Sequence, residues 1–310
     1  MGPVRHDRAV TRDLLDISAL RRDLLAPNGP LAWLDVLSET PSTSTELVAR
    51  ARSGALAAPG VLVAEHQAAG RGRAGRTWAT PPRAALTASF LLRPRVPASA
   101  LGWLPLLAGL AVVGALRDVG AGDEGAARLK WPNDVLLPAA PAVPGFGEFR
   151  KVAGILAEVV PGRPGAPGEP RADEGAGGSG SAGRSAVVVG VGVNVSQTAD
   201  ELPVPTATSL ALAGVQVDRG ELLGALARRL CTVVGRWEEA GGDVASARLD
   251  EAYRAASATL GTPVRAELVG GAGAYEGTAS RLTPDGSLVL DTPDGERVVT
   301  AGDVHHLRRP

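Results

Sequence analysis

The chain has 310 residues, 45% of them hydrophobic and 3% aromatic, with a formal net charge of −1. That length buries a substantial core in two domains or one large domain with an appendage, and a charge so near zero excludes a global attraction to nucleic acid or membrane, so anion binding must come from local clusters. Its single cysteine, Cys231, excludes a disulfide framework and a cysteine-based metal site and reads as a small core residue, and the charged N-terminus lacks the apolar stretch of a signal peptide, which makes a reducing cytoplasm the expected setting.

Residues 1 to 30 are polar, end in a loop at APNGP and are too short for an independent DNA-binding domain. Leu31 to Leu37 is apolar enough for a strand and leads into ETPSTST, a hydroxyl-dense turn before a helix starting near Thr45. Helix capping by Ser44 or Thr43 accounts for those hydroxyls as well as ligand binding does, and a helix N-terminus serves both. Val61 to Ala64 is a strand, followed by glycines at 70, 72 and 75 interleaved with arginines at 71, 73 and 76. Glycine allows close approach to a ligand and arginine offers a rigid fork of donors, so this loop suits an anion. The same glycines spell G-x-G-x-x-G, but a dinucleotide fold would need a helix next and an acidic residue about 20 residues on. Pro81 and Pro82 interrupt any helix, and Arg93 to Arg95 occupy the acidic position.

Ala85 to Leu92 suits a buried strand. Val96 to Leu116 has no charged residue, yet its prolines, its glycines and the helical period of Trp103, Leu107, Leu110, Val113 and Leu116 favour a buried helix, from about Ser99 to Val119, over a bilayer span. RLKWPNDVLL reads as a hairpin with Lys130, Asn133 and Asp134 at its tip, and residues 138 to 150 as a loop rich in proline and glycine. KVAGILAEVV is a strand in which Gly154 marks a close backbone approach beside Lys151. Residues 161 to 185 contain no large apolar side chain and read as a flexible insertion. AVVVGVGVNV is a central strand ending at Asn194, a turn former or a ligand contact. A short helix begins within Thr206 to Leu212, and an amphipathic helix runs from Glu221 to Ala240 with Leu222, Leu226, Leu230, Val233 and Trp237 on one face. Helix continues over Val244 to Ala258, after which four short strands and two Pro-Asp-Gly turns describe a β-barrel of about 50 residues.

The chain shows no nucleophile-base-orienter triad, no Walker loop and no metal-ligand spacing. Hydroxyls, arginines, a lysine, an Asn-Asp pair and a final asparagine gather at strand ends. Such a set suits a reaction between two anions, worked by positioning and electrostatic stabilisation without a covalent enzyme intermediate.

GRGRAGRTW, KWPNDVLL, KVAGILAEV and GVGVNV, in this order and spacing over residues 30 to 310, resemble the biotin–protein ligases. Each piece is weak alone, and the four together are specific. The resemblance implies an α+β fold: a mixed sheet with helices of the class II aminoacyl-tRNA synthetase type over residues 31 to 258, then an SH3-like β-barrel over 259 to 310, with residues 1 to 30 as an N-terminal extension. It implies that biotin and Mg-ATP give biotinyl-5′-AMP and pyrophosphate, and that biotin then passes to a lysine of a biotin carboxyl carrier protein of an acyl-CoA carboxylase. No DNA or membrane partner is implied, a homodimer is left open, and residues 1 to 30 hold no counterpart of the repressor-type helix-turn-helix.

Carried over residue by residue, Arg73 and Lys151 are the catalytic pair. Biotin falls to Ser42, Thr43, Ser44, Gln67, Gly70, Arg71, Gly72, Arg73, Lys151 and Gly154, and the nucleotide to Arg73, Arg76, Trp78, Lys130, Asn133, Asp134 and Asn194, with Asp134 a Mg²⁺ contact. Two departures touch the biotin contacts: Ser44 stands where the family has asparagine, and Ala68 where glutamine or threonine often follows Gln67. Three other readings remain: a lipoate ligase or octanoyl transferase, whose relatives lack this arginine loop; a nucleic-acid-binding protein, which the neutral charge and lack of a stacking platform disfavour; and an inactive biotin-binding scaffold.

Overall fold

Side-chain alternation in the run Ala186–Asn194 organises the molecule. Val187, Val189, Val191 and Val193 fall on one face of an extended strand, Val188, Gly190, Gly192 and Asn194 on the other. The computed structural model describes residues 12–52, 56–121, 125–143, 147–161, 185–269 and 273–307, with backbone alone at 140–143; residues 162–184, most of the stretch read as an insertion, lie outside them.

In chain order the helices are α1 (Ile17–Leu24), α2 (Thr43–Arg52), α3 (Leu104–Asp118), α4 (Arg219–Glu239) and α5 (Leu249–Ala256). The first strands are β1 (Trp33–Leu37), β2 (Gly60–Ala64), β3 (Gly70–Arg71), β4 (Thr77–Trp78) and β5 (Ala85–Leu92). Then come β6 (Arg128–Lys130), β7 (Asp134–Val143), β8 (Gly147–Val160) and β9 (Ala186–Asn194). The C-terminal strands are β10 (Pro263–Leu268), β11 (Ala274–Leu282), β12 (Leu288–Thr292), β13 (Gly295–Val299) and β14 (Gly302–His306). The main sheet has the order β1-β2-β5-β9-β8-β7-β6, antiparallel except for the parallel pair β1-β2, and the C-terminal sheet is antiparallel in the order β13-β12-β11-β10-β14.

The two faces of the main sheet have different work. On one, Val189, Val191, Phe90, Ala88 and Ile155 join α3 and α4 in the main core, which runs on into the C-terminal sheet through Val264, Ala266 and Leu288. On the other, α2 packs Leu47 and Ala51 against Leu62 and Val188 in a smaller cluster at one end of the strands. The rest of that face is left for a cleft. Trp131 ties the main sheet to the C-terminal part of the chain: its backbone N–H donates to Thr259 Oγ1 at 3.1 Å and its indole N–H to the Gly286 carbonyl at 3.1 Å.

Several elements differ from the sequence reading. The stretch 138–150 is mostly strand, because β7 and β8 continue through it as a paired ribbon in which even Pro138 pairs, with Phe149. Thr206–Leu212 forms turns rather than a helix, since its backbone is drawn into hydrogen bonds with β8 and β9: Lys151 N to Thr206 O, Thr208 N to Lys151 O and Leu210 N to Asn194 O. Residues 17–24, read as polar, form helix α1, which contributes only Leu20 and Leu24 to the core and so leaves a weak apolar pattern. On α4 Val233 packs partly buried against the core as expected, and Val234 beside it is buried more fully. Helix α5 starts only at Leu249, after Arg248 at φ +53° breaks the run. The C-terminal sheet has a fifth strand, β14. Helix α3, entered through a 3-10 turn at Ala98–Trp103, is buried around most of its circumference. Among the described residues Ala98–Asp118 alone is long and apolar enough to cross a membrane, and 61% of its most apolar window is buried inside this fold.

The N-terminal segment is anchored by charge. Glu65, which follows β2, pairs with Arg219 at 2.7 Å with both side chains 8% exposed, accepts from Leu15 N at 2.7 Å, and Arg219 also donates to the Asp13 carbonyl at 2.6 Å. Removing one partner of such a pair strands a buried charge, a cost of about 3–5 kcal/mol. Arg219→Met is expected to lower the unfolding free energy by that amount in a urea titration; a change under about 1 kcal/mol, the range of exposed pairs, would show that the pair is solvated.

Candidate active site

The cleft of about 1090 Å³ lies on the sheet face opposite α3 and α4. Its floor is one row of registered residues, Asp134–Gly154–Gly192–Thr87, crossing β7, β8, β9 and β5, with Gly190 beside Ser89 in the next row of the same face. Two glycines make room there for their neighbours. A Cβ on Gly190 would sit 2.3 Å from Ser44 Oγ, and one on Gly192 would sit 2.6 Å from the Trp78 ring. The repeated Val-Gly of β9 is thus a core face and a contact face written on alternate residues.

At one end of this floor stands a chain of buried hydroxyls. Ser44 Oγ lies 3.0 Å from Ser89 Oγ, Ser89 donates to Thr43 Oγ1 at 2.8 Å, and Thr43 donates through Oγ1 and through its backbone N–H to Gln67 Oε1 at 3.0 and 2.8 Å. Since Ser89 has one proton and spends it on Thr43, Ser44 is the donor in its contact with Ser89. Ser42, Thr43, Ser44, Gln67 and Ser89 are all buried. Ser42 Oγ accepts from Thr45 N at 3.4 Å, a weak cap for α2, so the turn serves capping and lines the cleft together.

At the other end is charge. The cleft is lined by the cations Arg71, Arg73, Arg76, Arg128, Lys130 and Lys151, against Asp134 as its lining carboxylate. Lys151 Nζ is 2.6 Å from Asp134 Oδ1 and 5.6 Å from the centre of the Trp78 ring. Lys151 shares the cleft with Gly154, three residues on, because the pairing of β7 with β8 slips between Val135 and Leu136, a bulge that shifts the alternation by one residue. Burial lowers the pKa of the Lys130 ammonium, and Lys151 and Arg76 push the same way against Asp134 and Asp303. Burial also lowers that of Arg73, with Arg76 adding to it and Asp303 and Asp134 opposing. These cations gain from a polyanion brought among them.

The arginine loop spans this charged end. Its two-residue ribbon pairs Gly70 with Trp78 and Arg71 with Thr77, and Gly75 at φ +74° takes the left-handed turn that glycine permits. Arg71 reaches Glu158 at 3.0 Å on one side, Arg76 reaches Asp303 of β14 at 2.7 Å on the other, and Trp78 rests on Gly154 and Gly192.

Of the residues expected from the sequence to form the site, Ser42, Thr43, Ser44, Gln67, Arg71, Gly72, Arg73, Arg76, Trp78, Lys130, Asn133, Asp134, Lys151, Gly154 and Asn194 all line the cleft. Gly70 does not line it: a Cβ there would sit 2.3 Å from the Trp78 carbonyl, so its glycine serves the ribbon. Asn133 and Asn194 line the walls with their amides engaged, Asn133 donating to Ile155 O and Asn194 to Thr208 O, both at 2.9 Å. Sequence reasoning missed Ser89, Thr87, Arg128 and the β14 residues. Ser89 and Thr87 carried a signal, two polar side chains at period two within an apolar strand; Arg128 and Asp303 carried none.

Sheet, hydroxyl floor and cationic rim together define an acyl-activating ligase. The chain belongs to the biotin/lipoate A/B protein ligase family, whose model matches residues 36–168, while the model of the biotin protein ligase C terminal domain matches residues 259–307. The biotin–[acetyl-CoA-carboxylase] ligase of Mycobacterium tuberculosis is 40% identical over 304 residues, covering 97% of this chain and 99% of that protein. The bifunctional ligase/repressor BirA of Bacillus spizizenii is 30% identical over 281 residues, 88% of this chain and 73% of its own length. Among solved structures, biotin protein ligase from Aquifex aeolicus in complex with biotin and ATP superposes with a TM-score of 0.64 at 26% identity, covering 90% of this chain and all of that one.

Gly192→Ala tests the seat of Trp78. The added methyl meets a movable ring, so the variant is expected to fold with a stability loss of no more than about 1–3 kcal/mol. Its tryptophan emission should become more quenchable by acrylamide; unchanged quenching would mean that the ring does not rest on β9.

Proposed function

We propose that this cleft joins biotin to ATP as biotinyl-5′-AMP and then passes the biotinyl group to a lysine of a carrier domain of an acyl-CoA carboxylase, in the cytoplasm. The observation that carries the reading is the placement of six cations beside a buried hydroxyl floor in one cleft of a nearly neutral chain.

The obstacle in the first step is repulsion between a carboxylate and a triphosphate. A biotin carboxylate oxygen attacks the α-phosphorus, and the bond to the β-phosphate breaks as pyrophosphate leaves. Arg73 and Lys151 spread the charge of the approaching oxygens, and Lys130 and Arg76 take that of the departing phosphates. In the second step the neutral amine of the carrier lysine attacks the acyl carbon, the C–O bond to phosphate breaks, AMP leaves and the nitrogen loses a proton. Lys151 serves here as well, by stabilising the leaving phosphate.

At the opposite end the Ser44–Ser89–Thr43–Gln67 chain suits a ring with its own donors and acceptor. The ureido ring of biotin satisfies it; the dithiolane of lipoate offers nothing in exchange and leaves buried polar groups unpaired, a discrimination that reaches orders of magnitude in sites of this kind. Trp78 supplies the aromatic surface for adenine.

The residues present fit Mg²⁺ carried on the nucleotide. Among the described residues no group of three His, Cys, Asp or Glu side chains could hold a metal, but Asp134 lines the cleft as a carboxylate among its cations, with Lys151 as the ion-pair partner of its Oδ1, and Mg²⁺ commonly takes one or two carboxylates plus phosphates. Bound there it would add charge neutralisation on the phosphates.

Arg73→Ala and Lys151→Ala are each expected to lower the rate of biotinyl-adenylate formation by about 10²–10³-fold, the usual loss on removing a group that stabilises developing charge. Rapid-quench measurement of biotinyl-5′-AMP checks this. A loss below about tenfold in both variants would remove these two residues from the chemistry.

A further inference from the structure

Lys130 stands on β6, a three-residue strand at the edge of the main sheet, where only one side of the backbone is paired by a neighbouring strand. Its flanking residues Leu129 and Trp131 are buried in the core, and Lys130 itself, half-buried, lines the cleft opposite Asp134 of β7. The free edge of β6 is taken by residues 257–259, which follow α5. Leu129 forms a parallel bridge with Ser257, its carbonyl accepts from Ala258 N at 2.8 Å, and the N–H of Trp131 donates to Thr259 Oγ1 at 3.1 Å. Lys130 is therefore held on both sides, by a backbone donor before it and by a side-chain acceptor after it. Thr259 is completely buried, and His306 Nε2 of β14 lies 3.3 Å from the same hydroxyl oxygen. Of the two bonds flanking Lys130, only the one to Thr259 depends on the identity of a side chain.

We propose that Thr259 is a positioning residue: its hydroxyl fixes the backbone at Lys130 and so keeps that ammonium aimed at the departing phosphates, without itself touching the nucleotide. The need for such a hold is electrostatic. Burial disfavours the charged form of Lys130, with Lys151 and Arg76 pushing the same way, so a lysine on a flexible four-carbon stem gains by turning out to water. A strand of three residues at a sheet edge resists that movement poorly unless its outer side is bonded as well. The same device serves Lys151, whose N–H and carbonyl are bonded to Thr206 O and Thr208 N. These two are the only lysines in the chain, and each is placed through its backbone. A valine at 259 would keep the shape of threonine and leave the Trp131 N–H buried with no acceptor.

The inference rests on the place given above to Lys130 beside the leaving phosphates, and two measurements on the full chain keep the two apart. The first is the Kd for ATP by calorimetry. Thr259→Val is expected to raise it about 3- to 10-fold, the span of one neutral hydrogen bond, and Thr259→Ser to restore it. In a Lys130→Ala background the same valine should change it less than about twofold, because a residue that acts through Lys130 then has nothing to act on. The second needs no nucleotide. Two lysines give two side-chain signals in protein grown on carbon-13 lysine, and Lys130→Arg identifies the one that belongs to Lys130. Thr259→Val should raise the pH at which that signal titrates, toward an ordinary lysine, and Thr259→Ser should leave it in place. Thr259→Ala is read in the same way should the valine variant fail to fold. An unmoved Lys130 signal overturns the proposal, and so does an equal loss of ATP affinity with and without Lys130, which would make Thr259 a support of the fold alone. A moved signal with parent-like ATP affinity would sustain the hold on Lys130 and reject the phosphate placement instead.

Discussion

Lys151 and Asp134 meet at 2.6 Å on adjacent strands, and the site depends on the fold keeping that pair where other cations converge. A lysine and an aspartate left to themselves would neutralise each other and attract little. Here Arg73, Arg76 and Lys130 share the cleft, and burial and mutual repulsion work against the charge of Arg73 and Lys130. The protein therefore holds its positive charge under strain, in the sense that a polyanion relieves it. Most of the architecture serves that end. The β8 bulge turns Lys151 toward the cleft, the 206–208 segment holds its backbone by both the N–H and the carbonyl, and Trp131 fixes the turn before Asp134 to the C-terminal part of the chain.

The opposite end of the cleft follows another logic. Its hydroxyl protons are committed along the chain from Ser44 through Ser89 and Thr43 to Gln67, so their orientation is set before any ligand arrives, while spare lone pairs on those hydroxyls are left for a ligand. A preorganised buried network of this kind selects by penalty: a ligand that cannot take part leaves unpaired groups behind. Charge at one end supplies rate and hydrogen bonding at the other supplies choice, and the glycines of β8 and β9 keep the space between them open.

Much of this was legible in the chain, for stated reasons. The Val-Gly alternation of β9, the arginine-glycine loop and the Lys-x-x-Gly of β8 are local patterns, in which residues near in sequence are near in space, and of the site residues expected from them all but Gly70 line the cleft. What escaped was non-local or weakly patterned. Asp303 is 227 residues from Arg76 and lies on a short strand that follows a turn. Helix α1 buries only Leu20 and Leu24 and is held down instead by the Glu65–Arg219 pair, which hydropathy does not register. Residues 138–150 read as a loop because proline and glycine weigh against strands, yet tertiary pairing of β7 with β8 overrides that preference. At Thr206–Leu212 the same principle acts in reverse, with helix-compatible residues drawn into turns by hydrogen bonds to β8 and β9.

The most direct test of the account is mass-spectrometric detection of the acyl-adenylate after the pure protein is incubated with ATP, Mg²⁺ and one of three acids: biotin, lipoate or octanoate. The account predicts biotinyl-5′-AMP and pyrophosphate from biotin, with little or no adenylate from the other two. Adenylate formed equally well from lipoate or octanoate would contradict the role given to the hydroxyl floor, and no adenylate from any acid in a folded protein would contradict the reading of the cleft as a site of acyl activation.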